Sequence, residues 1–157
     1  MQAIVCTAWD SPDKLKVTEV ADPLPGPDEV LVDVKAAGLG YVDALMVAGK
    51  YQIRPQLPFI PGGEISGVIN RTGDDVKHLR TGQRIIALPK QSGLAEKNCL
   101  KESECIVIPD TFSYQSAAGA LINYCTAYHA FTDCTRLSNA DTVLVLGGSG
   151  GVGIAGI

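Results

Sequence analysis

The first part of the chain alternates short apolar runs with turn residues, a pattern typical of β-strands. Proline, glycine and aspartate separate these runs, which occupy residues 3–8, 15–20, 30–37, 64–69 and 83–88. Three prolines, Pro55, Pro58 and Pro61, exclude a central strand between the third and fourth runs. We therefore predict that residues 1–110 are rich in β-structure.

Helical spacing appears in two places. Val42, Leu45 and Met46 follow i, i+3, i+4 spacing and predict a short helix over residues 41–49. Residues 116–131 contain few helix breakers and predict one or two closely packed helices. The charge-rich stretch 97–104 is interpreted as a solvated edge. A β-rich domain followed by an α/β unit fits this order, so the fold class is predicted to be α+β.

The C-terminal stretch predicts the opening of a dinucleotide-binding unit. An apolar strand over 143–146 leads directly into the pattern Gly148-x-Gly150-x-x-Gly153. In such a motif Gly148 allows the tight turn, Gly150 lets the backbone approach a pyrophosphate, and Gly153 lets the following helix pack on the strand. The alternative is a glycine-rich tail without a ligand.

The predicted strand over 143–146 has no sheet to join within the chain. An unpaired strand edge tends to associate, so we expect this segment either to pair between two copies or to remain disordered. The residue that would read the ribose belongs about 20 positions further on. With an incomplete unit, we expect residues 1–157 alone to bind NADPH weakly or not at all.

Composition narrows the class of partner. Hydrophobic residues make up 46% of the 157 positions and charged residues 19%, which suits a packed core. The net charge is −4 and basic residues do not cluster, so we expect no nucleic-acid partner. Without a long apolar run or signal peptide, we expect no membrane contact and a soluble cytoplasmic protein.

The five cysteines do not form a recognisable framework. Their number is odd and their spacing is irregular, at Cys6, Cys99, Cys105, Cys125 and Cys134. This pattern argues against disulfides and against a zinc ribbon. We interpret them as small, partly buried thiols in a reducing compartment.

Ordered short motifs along nearly the whole chain resemble the medium-chain dehydrogenase/reductase superfamily, and more narrowly its zinc-free quinone oxidoreductase branch. No motif is specific alone, but their order and spacing are. The matching segments are 25–32, 34–38, Asp43, 48–51, Pro61-Gly-Gly-Glu64 with 67–68, Gly82 and Arg84, 93–96, Thr126-Ala127 and the terminal glycine motif.

The resemblance implies two domains and a reaction. Residues 1–122 would form a GroES-like β-barrel domain, and residues 123–157 the first strand and glycine turn of an incomplete Rossmann domain. NADPH would lie in the cleft between them and pass a hydride to a small-molecule quinone or similar enone. We expect a homodimer. The alternatives are an enoyl-thioester reductase of the same superfamily, or a non-catalytic GroES-like binding or assembly module.

The resemblance also implies site residues. Tyr51 would be catalytic, stacking on a flat acceptor or donating to its carbonyl, unless it is only a half-buried loop tyrosine. Thr126 would lie beside the nicotinamide and phosphates, unless its hydroxyl bonds back to its own helix. The remaining implied cofactor contacts are Gly40, Tyr41, Gly148, Ser149, Gly150, Gly151, Val152 and Gly153.

No metal is predicted. The three positions at which the alcohol dehydrogenase branch holds its catalytic zinc correspond here to Gly40, Gly63 and Ile122. None of these side chains can bind Zn²⁺, and a catalytic zinc needs about three protein ligands. Two departures from the quinone reductase branch, glycine at position 40 and Leu45, bear on acceptor specificity.

Overall fold

The computed structural model describes residues 1–89 and 91–157, and two antiparallel sheets dominate it. The strands are β1 (Gln2–Val5), β2 (Lys16–Glu19), β3 (Glu29–Gly38), β4 (Glu64–Thr72), β5 (Arg84–Ala87), β6 (Lys97–Lys101) and β7 (Cys105–Val107). The helices are α1 (Tyr41–Val47), α2 (Tyr114–Ala117), α3 (Leu121–Thr132) and α4 (Gly151–Gly156). The predicted combination of a β-rich part followed by helices is thus observed.

The predicted β-barrel is not closed. β1 and β2 form a small sheet of their own, and the larger sheet has the open order β6-β3-β4-β5-β7. A single 3-10 turn, Glu102–Glu104, separates the edge strands β6 and β7 in sequence. The sheet must therefore curl strongly to bring its edges near each other. In the described part of the chain no ladder joins those edges, so the sheet stays open.

Alternate residues of the strands, such as Val30 with Val32 and Ile85 with Ala87, pack into a core cluster on one face of this sheet. β3 and β4 pair over almost their whole length, with register shifts after Leu31 and Val34 that bend the pair. Eight buried residues form the core cluster, namely Val30, Val32, Ile65, Ile69, Leu79, Ile85, Ala87 and Leu100. Burial of these side chains stabilises the sheet on which the site is built, by roughly 25 cal/mol per Å² of apolar surface removed from water.

Strand β6 lies where a solvated edge was predicted. Asn98 and Leu100 are buried, whereas Lys97, Cys99 and Lys101, which alternate with them, are more exposed. This period of two is a strand signal that the lysines at positions 97 and 101 obscure. Lysines are common on edge strands because they discourage pairing with other chains.

The helix predictions are confirmed with a refinement. α1 begins at Tyr41 as expected, and the predicted helical stretch 116–131 forms α2 and α3, which a short turn separates. Ser113 caps α2, because its hydroxyl oxygen accepts a hydrogen bond from the Ser116 amide at 3.1 Å. The Ser66 hydroxyl donates to the Tyr114 carbonyl at 2.7 Å and ties β4 to the start of α2.

The predicted strand over 143–146 is not formed. These residues take part in no ladder with the rest of the described chain. Leu144 and Leu146 are 81% and 84% exposed. A strand exists through its hydrogen-bonded neighbours, and this segment pairs with none of the described strands.

The cysteine thiols are all free. Burial raises the pKa of Cys99 to about 11 and that of Cys105 to about 12, so both stay protonated and unreactive at neutral pH.

No helix in the part of the chain that the structure covers is long and apolar enough to cross a membrane.

Candidate functional site

A cleft of about 470 Å³ opens where the end of β3 and the start of α1 face the glycine turn, by which we mean residues 147–153, the turn that leads into α4 together with the first residues of that helix. One wall comes from residues 38–43 and Met46, and the opposite wall from Gly151 and Val152. Gly63, Glu64, Gly119, Ile122 and Asn123 complete the lining. The cleft thus joins four segments that are far apart in sequence.

Four of the predicted cofactor contacts meet in this cleft. Gly40 and Tyr41 line one side, and Gly151 and Val152 line the other. Tyr41 is 79% exposed, so its ring is available to a ligand. Gly148, Ser149, Gly150 and Gly153 belong to the same glycine turn, immediately beside this lining.

Two predicted site residues lie outside the lining. Thr126 is exposed on α3 and its hydroxyl donates to the Ile122 carbonyl at 2.5 Å, as in the alternative interpretation of a helical threonine. Tyr51 is half-buried in the irregular segment between α1 and β4. Contact of either residue with a ligand remains a prediction.

The glycines of the turn do not all have the roles predicted for them. The left-handed residue of the turn is Gly147, with a φ of 71°, rather than Gly148. Gly153 does allow close packing, since a Cβ there would lie 2.2 Å from the Gly147 carbonyl oxygen. At Gly150 the nearest atom to such a Cβ would be 3.4 Å away, so this backbone remains approachable.

Asp43 organises the wall formed by α1. Its side chain is 6% exposed, and Oδ2 accepts a hydrogen bond from the Gly40 amide at 2.8 Å. The Asp43 amide in turn donates to the Gly40 carbonyl at 3.2 Å. This reciprocal pair fixes the first turn of α1 and the backbone of Gly40 at the edge of the cleft.

Glu64 caps α3 from a distant strand. Its carboxylate is 3% exposed, and Oε1 accepts hydrogen bonds from the amides of Leu121 at 2.5 Å and Ile122 at 3.4 Å. A negative charge at a helix N-terminus also interacts favourably with the helix dipole. Burial nevertheless raises the pKa of Glu64, and the charge of Asp43 adds to this, while the two amide donors oppose it.

The three positions that correspond to zinc ligands converge on the cleft. Gly40, Gly63 and Ile122 all belong to the lining. A Cβ at Gly63 would have Ile122 Cδ1 as its nearest neighbour, at 3.9 Å, so this position has room for a side chain that the sequence does not supply. Within the described residues, no group of three His, Cys, Asp or Glu side chains is placed to hold a metal ion.

Sequence reasoning did not select Asn123 or Asp43 as site residues. Asp43 is the third residue of α1, and its carboxylate accepts from the amide of the N-cap residue Gly40. A search for capping boxes misses this half of the motif, because Gly40 has no side chain to complete it. Asn123 carries no local signal, because its role depends on a contact with the glycine turn 28 residues later. Glu64 was interpreted as structural, and its capping of α3 agrees with that interpretation.

The two glutamates that bind backbone amides are predicted to give opposite pH dependences of stability. Glu102 accepts from the amides of Lys77, His78 and Leu79, and these bonds, led by that of His78, lower its pKa. Its contribution to stability is present above the ordinary glutamate pKa and is lost as pH falls through the lowered folded value. The pKa of Glu64 is raised, so its contribution is present below the ordinary value and is lost as pH rises through the folded one.

Urea unfolding of the wild type, Glu64→Gln and Glu102→Gln as a function of pH tests this prediction. The free energy of unfolding of the wild type minus that of Glu64→Gln should fall as pH rises above 4.5, the ordinary glutamate pKa. The corresponding difference for Glu102→Gln should grow as pH rises towards the same value. If the two free-energy differences changed in the same direction with pH, the burial of Glu64 and the hydrogen bonds of Glu102 could not both be as described.

The family model for the alcohol dehydrogenase GroES-like domain matches residues 26–139. Quinone oxidoreductase-like protein 2 of Rattus norvegicus is 38% identical over 154 residues, which are 98% of this chain and 43% of that protein. The chain therefore spans less than half the length of this curated relative.

Solved structures show the same architecture. The human synaptic vesicle membrane protein VAT-1 homolog-like protein superposes with a TM-score of 0.96 at 33% identity, over 99% of this chain and 50% of that one. The quinone oxidoreductase from Thermus thermophilus, whose complex with NADPH was also solved, gives a TM-score of 0.87 at 31% identity, over 99% of this chain and 48% of that one. The chain belongs to the alcohol dehydrogenase GroES-like family and, with the quinone oxidoreductase-like and VAT-1 proteins, to the medium-chain dehydrogenase/reductase superfamily.

Proposed function

We propose that the natural protein containing this chain is a zinc-independent, NADPH-dependent oxidoreductase that transfers a hydride to a quinone or similar enone. In this proposal residues 1–122 form the GroES-like domain and residues 123–157 begin the nucleotide-binding domain. The observation that carries it is the cleft, in which an apolar wall faces a glycine turn. Membership of the superfamily and a relative solved with NADPH support it.

The glycine turn suits a dinucleotide on steric grounds. Gly153 has no space for a Cβ, and Gly150 presents backbone without a side chain, so a pyrophosphate could approach the turn closely. Residues 148–153 would hold the phosphates, while Gly40, Tyr41 and Thr126 would lie towards the nicotinamide. When bound, the nicotinamide supplies the hydride.

The lining of the cleft favours a flat, uncharged acceptor. Its exposed apolar side chains include Leu39, Tyr41 and Ile122, which offer apolar contact to a flat ring, and the Tyr41 ring can stack on it. Its two charged residues, Asp43 and Glu64, are acidic and already bind backbone amides. Because the described lining contains no lysine or arginine, it supports a quinone or enone better than a phosphate-bearing thioester.

Activation of the acceptor carbonyl must then come from hydrogen-bond donors. Gly40, Gly63 and Ile122 have no side chain that can bind a metal, so a zinc ion that polarises the acceptor carbonyl could not be held at these positions. In the proposal the Tyr51 phenol is such a donor. Its substitution by phenylalanine should lower kcat with a smaller effect on the affinity for NADPH.

Steady-state assays of the natural gene product test this function. NADPH oxidation should proceed with naphthoquinone and with a simple enone, should be slower with a crotonyl thioester of coenzyme A, and should survive a metal chelator. Folded protein that oxidises neither NADPH nor NADH with any of these acceptors would rule the proposal out.

A variant that fills the cleft tests the location. Gly63→Leu adds a side chain where the nearest protein atoms lie 3.9 and 4.0 Å from its Cβ, so the fold should accept it while the cleft loses volume. We expect kcat/KM for the quinone to fall by about tenfold or more, which corresponds to about 1.4 kcal/mol. An unchanged kcat/KM in a protein with the wild-type melting temperature would place the acceptor elsewhere.

A further inference from the structure

Asn123 occupies the junction between α3 and the glycine turn. It lies in the first turn of α3, and its Nδ2 donates to the Gly119 carbonyl at 3.0 Å. Asn123 and Gly151 both line the cleft. The amide is therefore held from the helix side and faces the turn.

Gly151 leaves the space that this amide fills. A Cβ at position 151 would lie 2.6 Å from Asn123 Oδ1 and 2.8 Å from both Cγ and Nδ2. Real Cβ atoms do not approach other atoms so closely, so the Asn123 side chain would have to move. Gly151 begins α4 with ordinary helical backbone, so its conformation does not require glycine. The position of the Asn123 amide is therefore what a side chain at position 151 would disturb.

We propose that Asn123 is a positioning residue, whose amide seats Gly151 and so sets the glycine turn against α3. The Gly119 carbonyl orients the amide, and the amide determines how closely the turn can approach the helix. Asn123 need not touch the cofactor, because it acts through the backbone of the turn. The consequence for nucleotide binding rests on the proposed function.

A double-mutant cycle tests the packing step in the 157-residue chain. Gly151→Ala should lower the melting temperature by roughly 2–4 °C, because the Asn123 amide must move and lose its bond to Gly119. In the Asn123→Ala background the same substitution should be neutral or raise the melting temperature, since alanine is the better helix former. Additive shifts in the cycle would overturn the proposal.

Gly150→Ala is the matched control within the same turn. A Cβ there would meet the Gly147 carbonyl oxygen at 3.4 Å rather than Asn123. Its effect on the melting temperature should therefore be the same with asparagine or alanine at position 123. Coupling of equal size at position 150 would show that Asn123 does not act through Gly151, and would also overturn the proposal.

A binding measurement separates positioning from simple stabilisation. At a temperature well below melting, where every variant is folded, Asn123→Ala in the natural gene product should weaken NADPH binding severalfold. An unchanged dissociation constant, together with coupling in the thermal cycle, would limit Asn123 to stability and defeat the positioning role. If the wild-type protein binds no NADPH, the proposed function fails, whereas the thermal cycle still decides whether Asn123 seats Gly151.

Discussion

Gly38→Ala is expected to lower the free energy of unfolding by roughly 3 kcal/mol. Gly38 ends β3, where the sheet meets the connection between α2 and α3. A Cβ at this position would lie 2.0 Å from the Ala118 carbonyl oxygen and 3.3 Å from Glu64 Oε2. The clash is with backbone, which cannot rotate away, so the helices that complete the cleft would have to move off the sheet.

Gly40→Ala is the matched control two residues later on the same wall. The nearest atom to its Cβ would be Asp43 Oδ2 at 3.6 Å, an ordinary contact. Because Gly40 is the N-cap of α1, where alanine is less favourable than glycine, its effect on stability should be about 1 kcal/mol or less, well below that of Gly38→Ala. Chemical denaturation of both variants makes the comparison. Similar free energies for the two would mean that β3 and α2 do not pack as described.

Gly153→Ala is expected to weaken NADPH binding by the natural gene product by about tenfold or more. A Cβ at position 153 would lie 2.2 Å from the Gly147 carbonyl oxygen and 2.8 Å from Gly148 Cα. The turn would have to open to admit it. Its amide groups would then no longer converge on the proposed phosphate position.

Ile154→Ala tests whether this effect belongs to the turn or to α4 in general. Ile154 is the next residue of the same helix and its side chain is 59% exposed. We expect its substitution to leave the dissociation constant for NADPH within about twofold of the wild-type value. Calorimetric titration of both variants gives the comparison. Equal losses of affinity would show that the helix, rather than the close approach at Gly153, governs binding.

Local patterns predicted most of the elements, because their physical causes are local. Short apolar runs bounded by turn residues marked β3 and β4, and i, i+3, i+4 spacing marked α1. β6 escaped because lysines at both ends made a half-buried edge strand resemble a charge run. The two buried residues of β6, Asn98 and Leu100, can be recognised as a strand face only when the pairing with β3 is known.

Features that depend on pairing were predicted less well. The segment 143–146 has the composition of a strand, but a strand requires a neighbouring edge, and none is formed in the described chain. The barrel prediction failed for a related reason. A barrel closes only if its edge strands β6 and β7 pair with each other. The local sequence pattern of each strand does not determine whether that pairing forms.

The residues of the candidate site also differ in whether the sequence alone could identify them. Gly40, Tyr41, Gly151 and Val152 were placed by resemblance and do meet in one cleft. The roles of Glu64 and Asn123 required the fold, because each acts on a segment distant in sequence. Glu64 caps a helix 57 residues later, and Asn123 packs against a turn that follows the whole of α3.

Deuterium transfer tests the proposed reaction most directly. The natural gene product would be incubated with an enone and with NADPH that carries deuterium at the transferable position of the nicotinamide, and the reduced product analysed by mass spectrometry and NMR. Direct hydride transfer in the cleft predicts one deuterium at the β-carbon of the product, with the second hydrogen derived from solvent. Product without deuterium, or no product from a folded protein that binds NADPH, would contradict it.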